Sequence, residues 1–218
     1  SYCIQIKKVL NEPVVSAGLN CRTKPLPAGP GKKVNCRMKI QVRDGRSAVI
    51  RSLQESDSEP LYDYLQNLSA ESRSRFGPHP FDQKTINHIC EHTDKNIQRY
   101  IAVEESASTI VAYMLIHQGM IEADQQRYAR RDQFFDPAIT VTYAPSVADD
   151  WQSSGLGTVM VNVIENELMN RGIRYIVLWG GVQATNLKAV NFYKKNGYQF
   201  LATFWYDHKD NHDMIKEL

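Results

Sequence analysis

The chain has 218 residues, 42% of them apolar, and its 26 basic and 24 acidic side chains leave a formal charge of +2. That is enough for one sizeable core with a small appendage, while a near-neutral balance without a basic stripe argues against duplex nucleic acid as the principal partner. No apolar run approaches a membrane span, the first residues lack a signal peptide's apolar region, and Cys3, Cys21, Cys36 and Cys90 show no Cys-x-x-Cys spacing, so a cytoplasmic protein with reduced thiols, no metal and no membrane contact is expected.

Upstream of residue 46, Tyr2 to Val9 and Val34 to Val42 alternate apolar and polar residues around a Pro/Gly-rich stretch from Lys24 to Lys33. Residues 1–46 are therefore expected to form a β-hairpin-like extension docked on the main domain or on a second subunit, which makes a homodimer one expected assembly; a disordered tail is the alternative. Asp44-Gly45 marks a turn into a strand from Ser47 to Leu53. Ser56-x-x-Glu59 reads as a capping box opening a helix that ends near Leu68, with Pro60 tolerable in the first turn. A second helix is predicted over Phe81 to His92, and strands over Gln98 to Glu105 and Thr109 to Gln118. Met120 to Pro137 is an insertion without a clear pattern.

Downstream, a strand from Ala138 to Ala148 leads into Gln152-Ser153-Ser154-Gly155-Leu156-Gly157, and then into a helix with apolar residues at Val159, Met160, Val163, Ile164 and Leu168. Gly172 supplies a C-terminal cap, and an apolar strand from Arg174 to Trp179 runs into Gly180-Gly181. A helix from Leu187 to Asn196 is ended by Gly197, and a strand from Tyr198 to Tyr206 with a short strand near Met214 closes the chain. This order predicts a mixed sheet covered by helices on both faces.

The glycine segment is a phosphate loop by construction. Gly155 and Gly157 lack a β-carbon, so the backbone can turn tightly and its N–H groups can converge on an anion at the positive end of the following helix. A pyrophosphate is the natural occupant. Two other phosphate loops are excluded: there is no Gly-x-x-x-x-Gly-Lys-Ser/Thr, and the third glycine of a dinucleotide fingerprint is missing.

The loop is followed by Asn186-x-x-Ala189-x-x-x-Tyr193-x-x-x-Gly197-Tyr198. In that conjunction the chain resembles the GCN5-related N-acetyltransferase (GNAT) superfamily, whose loop reads Gln/Arg-x-x-Gly-x-Gly/Ala and whose next helix carries the second pattern. The resemblance covers about residues 47–218 and is most specific from Ala138 to Tyr198. It implies an α/β (α+β) fold with a GNAT-like, mostly antiparallel central sheet. Val147-Ala-Asp-Asp-Trp-Gln152 and the earlier Leu68 to Phe76 segment are similar to the branch that includes bacterial protein-lysine acetyltransferase domains.

The resemblance also implies acetyl-coenzyme A as cosubstrate and direct transfer of the acetyl group to a primary amine of a small molecule or a protein lysine. Coenzyme contacts are then expected at Val147 and along Gln152, Ser153, Ser154, Gly155, Leu156, Gly157 and Thr158. On the later helix they are expected at Asn186, Ala189, Tyr193 and Lys195. Tyr193 matches the tyrosine whose hydroxyl lies near the coenzyme sulfur and acts as general acid. The acid that many members carry ten residues before the loop's Gln is here Thr142, which leaves ordered water, Glu122, Asp136 or His117 as candidates for deprotonating the amine. Small amines are preferred as acceptors, because no extended peptide groove is legible in the sequence. Arg73 and Arg75 before Phe76-Gly77-Pro78 are candidates for recognising an acidic group on the acceptor, with a solvated surface turn as the alternative, and Arg127, Arg130 and Arg131 in the insertion are candidates for a lid or a subunit contact. The alternative function is a non-catalytic coenzyme A-binding module in which the extension mediates assembly.

Overall fold

A computed structural model describes residues 37–92 and 94–218. The expected strand from Tyr2 to Val9, the Pro/Gly-rich stretch, Cys3, Cys21 and Cys36 lie outside the described residues. The described chain runs β1 (Arg37–Gln41), β2 (Ser47–Ser52), α1 (Ser58–Asn67), α2 (Ala70–Arg75), α3 (Gln83–Glu91), β3 (Ile97–Glu104), β4 (Ile110–Gln118) and α4 (Glu122–Ala129). It continues through β5 (Thr140–Val147), α5 (Leu156–Asn170), β6 (Tyr175–Leu178), β7 (Val182–Gln183), α6 (Leu187–Lys195), β8 (Gln199–Tyr206) and β9 (Lys209–Glu217).

The described strands form one sheet in the order β1-β2-β3-β4-β5-β6-β9-β7, with β8 also paired to β9. Neighbours are antiparallel except for β5 and β6. β4 is the middle of the fold: its run Ile110 to Ile116 is buried throughout, the near-continuous apolar pattern of a strand covered on both faces.

Period-two alternation sends the side chains of β5 to two different cores. Tyr143 and Val147 join Met160, Val161, Ile164 and Leu168 of α5 and Val190 and Tyr193 of α6. Ala144 joins Tyr113 and Leu115 of β4 with Leu61 and Leu65 of α1 and Ile86 and Ile89 of α3. The helices therefore cover both faces, and the fold class is the mixed, mostly antiparallel GNAT-like sheet expected.

Three local expectations are corrected. The start of the first helical segment is held by Asp57, whose carboxylate accepts from the Gln54 backbone N–H at 2.7 Å and from both terminal nitrogens of Arg51 at 2.6 and 2.7 Å. Ser56 and Glu59 make no box, because the ion pair to β2 fixes Asp57 instead. The connection after α1 contains a further helix, α2, capped by Ser69 Oγ on Ser72 N–H at 3.1 Å. The insertion contains α4, in which only Asp124 and Tyr128 are buried, so it has no wide apolar stripe for a periodicity reading to detect.

Candidate active site

The site begins where the sheet comes apart. β5 and β6 pair in parallel from Thr140↔Tyr175 to Tyr143↔Leu178, and the last link is the Trp179 N–H to the Tyr143 carbonyl at 3.0 Å. Beyond it, β6 turns away through Gly180 and Gly181, both at positive φ (64° and 71°), while β5 continues to Val147 against β4 alone. A β-carbon on Gly181 would stand 2.8 Å from the His212 carbonyl oxygen and 2.8 Å from the Phe204 ring, so the turn requires glycine there.

Backbone direction alternates along a strand. Since Tyr143 directs its carbonyl toward β6 while the Ala148 N–H bonds the Val111 carbonyl beyond β4's start, the odd residues Pro145 and Val147 direct their backbone groups into the opening. Pro145 therefore removes no ladder bond, and the Val147 N–H stands as the donor on the open edge. The Val147 carbonyl accepts from Gln152 Nε2 at 3.3 Å, linking this edge to the loop that follows.

That loop is organised by its own side chains. Ser154 Oγ donates to the Trp151 carbonyl at 2.6 Å and accepts from the Leu156 N–H at 3.2 Å. Ser153 lies at φ 65° and Gly155 at φ 97°, which turns the chain into the start of α5. The next two N–H groups, of Gly157 and Thr158, have no partner among the described residues. Unpaired first-turn donors of a fifteen-residue helix are a natural anion seat. Gly157 lies under Phe192, whose ring would be 3.3 Å from a β-carbon there.

α6 forms the second wall. Asn186 Oδ1 accepts from the Ala189 N–H at 3.1 Å, so this side chain caps the helix. Tyr193 is buried, 8% exposed, in a cluster with Tyr143 and Tyr198 at ring separations of 6.3 and 5.3 Å, and it lines the same cleft as the loop. Burial pushes its hydroxyl above the ordinary phenol range. Lys188 Nζ donates to Gln152 Oε1 at 2.8 Å, and Lys195 stands at the cleft's edge.

The cleft, ≈ 1330 Å³, passes through the opening to a second arm lined by Phe76 to Pro78, by Asp124, Arg127, Arg130 and Arg131 around α4, by Trp179, and by Phe204 to Asp207 of the β8–β9 hairpin. Its wall is a charge network. Asp213, 1% exposed, accepts from Arg127 at 2.7 to 3.1 Å and from Arg131 at 2.7 Å. Arg127 also pairs with Asp124 at 2.7 Å and lies 3.8 Å over the Phe204 ring. Asp124 accepts from the Gly180 N–H at 3.0 Å, which pins the turn where the sheet opens; burial raises its carboxyl above the ordinary range.

A model of the Acetyltransferase (GNAT) family matches residues 61–198, more than half of the chain. The chain belongs to the GNAT family. No curated protein matches it by sequence. Among solved structures it is similar to the GNAT domain of S. lividans PAT at 19% identity, covering 86% of this chain and 99% of that one with a TM-score of 0.68. It is similar to ribosomal-protein-S5-alanine acetyltransferase from Vibrio fischeri at 12% identity, with coverages of 83% and 96% and a TM-score of 0.63. AAC(6')-Ib, in complex with ribostamycin and coenzyme A, is similar at 19% identity over 77% of this chain and 92% of that one, with a TM-score of 0.58. At such identities these likenesses show the GNAT fold.

Of the residues expected to contact the coenzyme, Val147, Gln152, Ser153, Gly155, Gly157, Thr158, Asn186, Ala189, Tyr193 and Lys195 all line the one cleft. Ser154 and Leu156 differ. Ser154 turns its hydroxyl inward, and Leu156 is fully buried in the core with its N–H already used. Thr142, at the position of the common acid, donates to the Gly119 carbonyl at 2.9 Å; among the candidates for the base, Glu122 accepts from Gln126 at 3.1 Å and Asp136 caps the Ala138 N–H at 2.8 Å. His117 sits edge-on to Trp179 at 5.8 Å. None of these four lines the cleft.

The sequence reading missed Lys188, Asp124 and Asp213 as site-building residues. Lys188 lies only two residues after Asn186 in the first turn of α6; Asp213 has no local signal because its arginine partners are distant in sequence, and the i,i+3 pair of Asp124 with Arg127 gives no hint of its contact with Gly180. Cys90 is a half-buried thiol whose pKa is pushed up to about 11 by burial, which leaves it protonated. Among the described residues there is no cluster of His, Cys, Asp or Glu able to hold a metal, and no helix is long and apolar enough to cross a membrane.

Proposed function

We propose that this protein is an acetyl-coenzyme A-dependent N-acetyltransferase that passes the acetyl group directly to a primary amine, on a small molecule or on a protein lysine. The observation that carries this reading is the convergence, in one cleft, of the open edge of β5, the unpaired N–H groups of Gly157 and Thr158, and the Tyr193 hydroxyl. An open strand edge suits an extended, amide-bearing arm, and the helix start suits a pyrophosphate. Both features occur in coenzyme A.

In this reading the Val147 N–H donates to the acyl oxygen as charge develops there, in a partly water-excluded opening where such a donor is effective. Tyr193 holds its proton at the leaving sulfur. A phenol raised by burial remains protonated at neutral pH and serves as a donor throughout. Among the described residues, Asp124 and Asp207 are the carboxylates lining the cleft; the first is committed to Arg127 and Gly180, and the second is 3.7 Å from Lys209. The amine therefore loses its proton to water, and the rate should climb with pH as the neutral amine becomes abundant. That same lack of a free carboxylate favours, as the second reading, a module that binds coenzyme A without turnover.

The test is coenzyme A release from acetyl-coenzyme A against pooled small amines, amino acids and lysine peptides, with Tyr193→Phe beside the parent. Release above the no-acceptor background, lost in the variant, would support transfer and name the acceptor class. Tight binding with silence across the whole panel would favour the module.

A further inference from the structure

The turn between β1 and β2 carries two arginines in unlike situations. Arg46 donates to the Asp44 carboxylate at 2.7 and 3.0 Å and to the Asp150 carbonyl at 3.1 Å, and its guanidinium lies 4.0 Å over the Trp151 ring. Its charge and its face are both used, so it acts as the bolt that fastens the turn to the segment preceding the phosphate loop.

Arg43 is placed as firmly but its charge is unused. Its backbone N–H donates to the Ser154 carbonyl at 3.1 Å. Its stem crosses the loop directly above Gly155, where a β-carbon would meet its Cγ at 3.4 Å and its Cδ and Nε at 3.5 Å. Gly155 thus serves both the left-handed turn and the passage of this side chain. The Arg43 guanidinium has no ion-pair partner among the described residues, and it lines the cleft with Ser153, Gly157 and Thr158.

The neighbouring acids make no ion pair with it: Asp44 is paired with Arg46, and Asp149 accepts from Ser69 and Ser72. Lys188 adds another cation, held only by the neutral amide of Gln152. An unpaired guanidinium whose stem is carried over Gly155, beside unpaired helix-start donors, is a site for a phosphate oxygen, which it can take through two N–H groups at once.

We infer that Arg43 is a phosphate ligand for the coenzyme, delivered from a turn that lies outside the 61–198 segment matched by the family. The strand pair β1–β2 then completes the coenzyme site rather than only extending the sheet. This rests on the coenzyme reading given above.

The experiment is calorimetric titration of the full chain with coenzyme A and with 3′-dephospho-coenzyme A, for the parent, Arg43→Ala and Arg43→Gln, at two salt concentrations. Arg43 is exposed, so the melting curves of both variants should overlay the parent's. Each variant is expected to bind coenzyme A roughly tenfold more weakly, the scale of one hydrogen-bonded charge, and to lose part of the parent's salt dependence. If Arg43 takes the 3′-phosphate, removing that phosphate weakens the parent and leaves the variants unchanged. If it takes the pyrophosphate, the variants lose the same factor on both ligands. Variants that bind both ligands as tightly as the parent would overturn the assignment alone. A parent that binds neither would overturn it together with the coenzyme reading.

Discussion

The two arms of the cleft are built on opposite plans. The arm around the Gly155 loop is nearly all backbone: the odd-numbered edge of β5, that loop and the first turn of α5 come from one continuous stretch, and most side chains there serve to shape it. The second arm, around α4 and the β8–β9 hairpin, is nearly all side chain. Its wall depends on Asp213 gripping Arg127 and Arg131 at 2.7 Å from more than eighty positions away, and on Asp124 reaching the turn at Gly180. A backbone site repeats wherever its short motif repeats, whereas a side-chain site can be rebuilt one residue at a time while the fold stays intact.

The largest expected effect that bears on this contrast is Asp213→Ala. It leaves Arg131 without its carboxylate and Arg127 with Asp124 alone, and should destabilise the fold by about 3 kcal/mol, measured by urea unfolding. Coenzyme affinity of the folded protein should stay within about twofold of the parent; a larger loss would mean the two arms are not separate. Tyr193→Phe should do the reverse, lowering kcat by about a hundredfold with coenzyme affinity kept. Because burial raises the Tyr193 hydroxyl above the ordinary phenol range, activity should not fall as pH passes through about 10; an alkaline loss centred there and absent in the variant would contradict the assignment.

A smaller effect compares two adjacent glycines at the seam between the arms. Gly181→Ala meets the His212 carbonyl at 2.8 Å as well as the strain of φ 71°, whereas Gly180→Ala, at φ 64°, meets nothing within 4 Å. The first should cost about 2 kcal/mol or more and the second about 1. Equal melting temperatures would show that the close approach does not matter.

The smallest effect concerns a tie from the segment before the phosphate loop to α2. Asp149, just before the phosphate loop, accepts from Ser69 N–H at 2.8 Å, from Ser69 Oγ at 2.9 Å and from Ser72 Oγ at 2.6 Å, across to the start of α2. Burial works to raise this carboxyl, but those hydrogen bonds outweigh it and hold it below the ordinary value of 3.8. A folded-state pKa below the unfolded one stabilises above the unfolded value, and the contribution disappears as pH falls through the folded one. The stability gap between the parent and Asp149→Asn should therefore be constant at neutral pH and narrow in acid below about 4. A gap unchanged in acid would show that the carboxylate's charge is not what holds the tie.

Most strands and the larger helices were legible because each buries a regular face. α5 repeats apolar residues at helical period, and β4 is an unbroken apolar run bounded by turns. α2 and α4 were not, since α2 buries no residue and α4 buries only two. β9 read as short because polar residues such as Asn211 and Asp213 occupy buried positions in it; the arginines that satisfy Asp213 lie on and just after α4, which has no link to β9 in local sequence.

By itself, the sequence determined the phosphate loop, the helix that follows it, and the later helix bearing Asn186, Ala189 and Tyr193, because glycine placement, capping and apolar period act within a few residues of chain. Tertiary structure alone decided that Pro145 falls on the open edge, where it costs no bond, and that Ser154 and Leu156 turn inward. It also decided that Asp124 and Asp213 organise the wall of the second arm, and that a turn residue as early as Arg43 reaches the loop at Gly155. Those outcomes depend on strand register and on the meeting of distant segments, which no local pattern encodes.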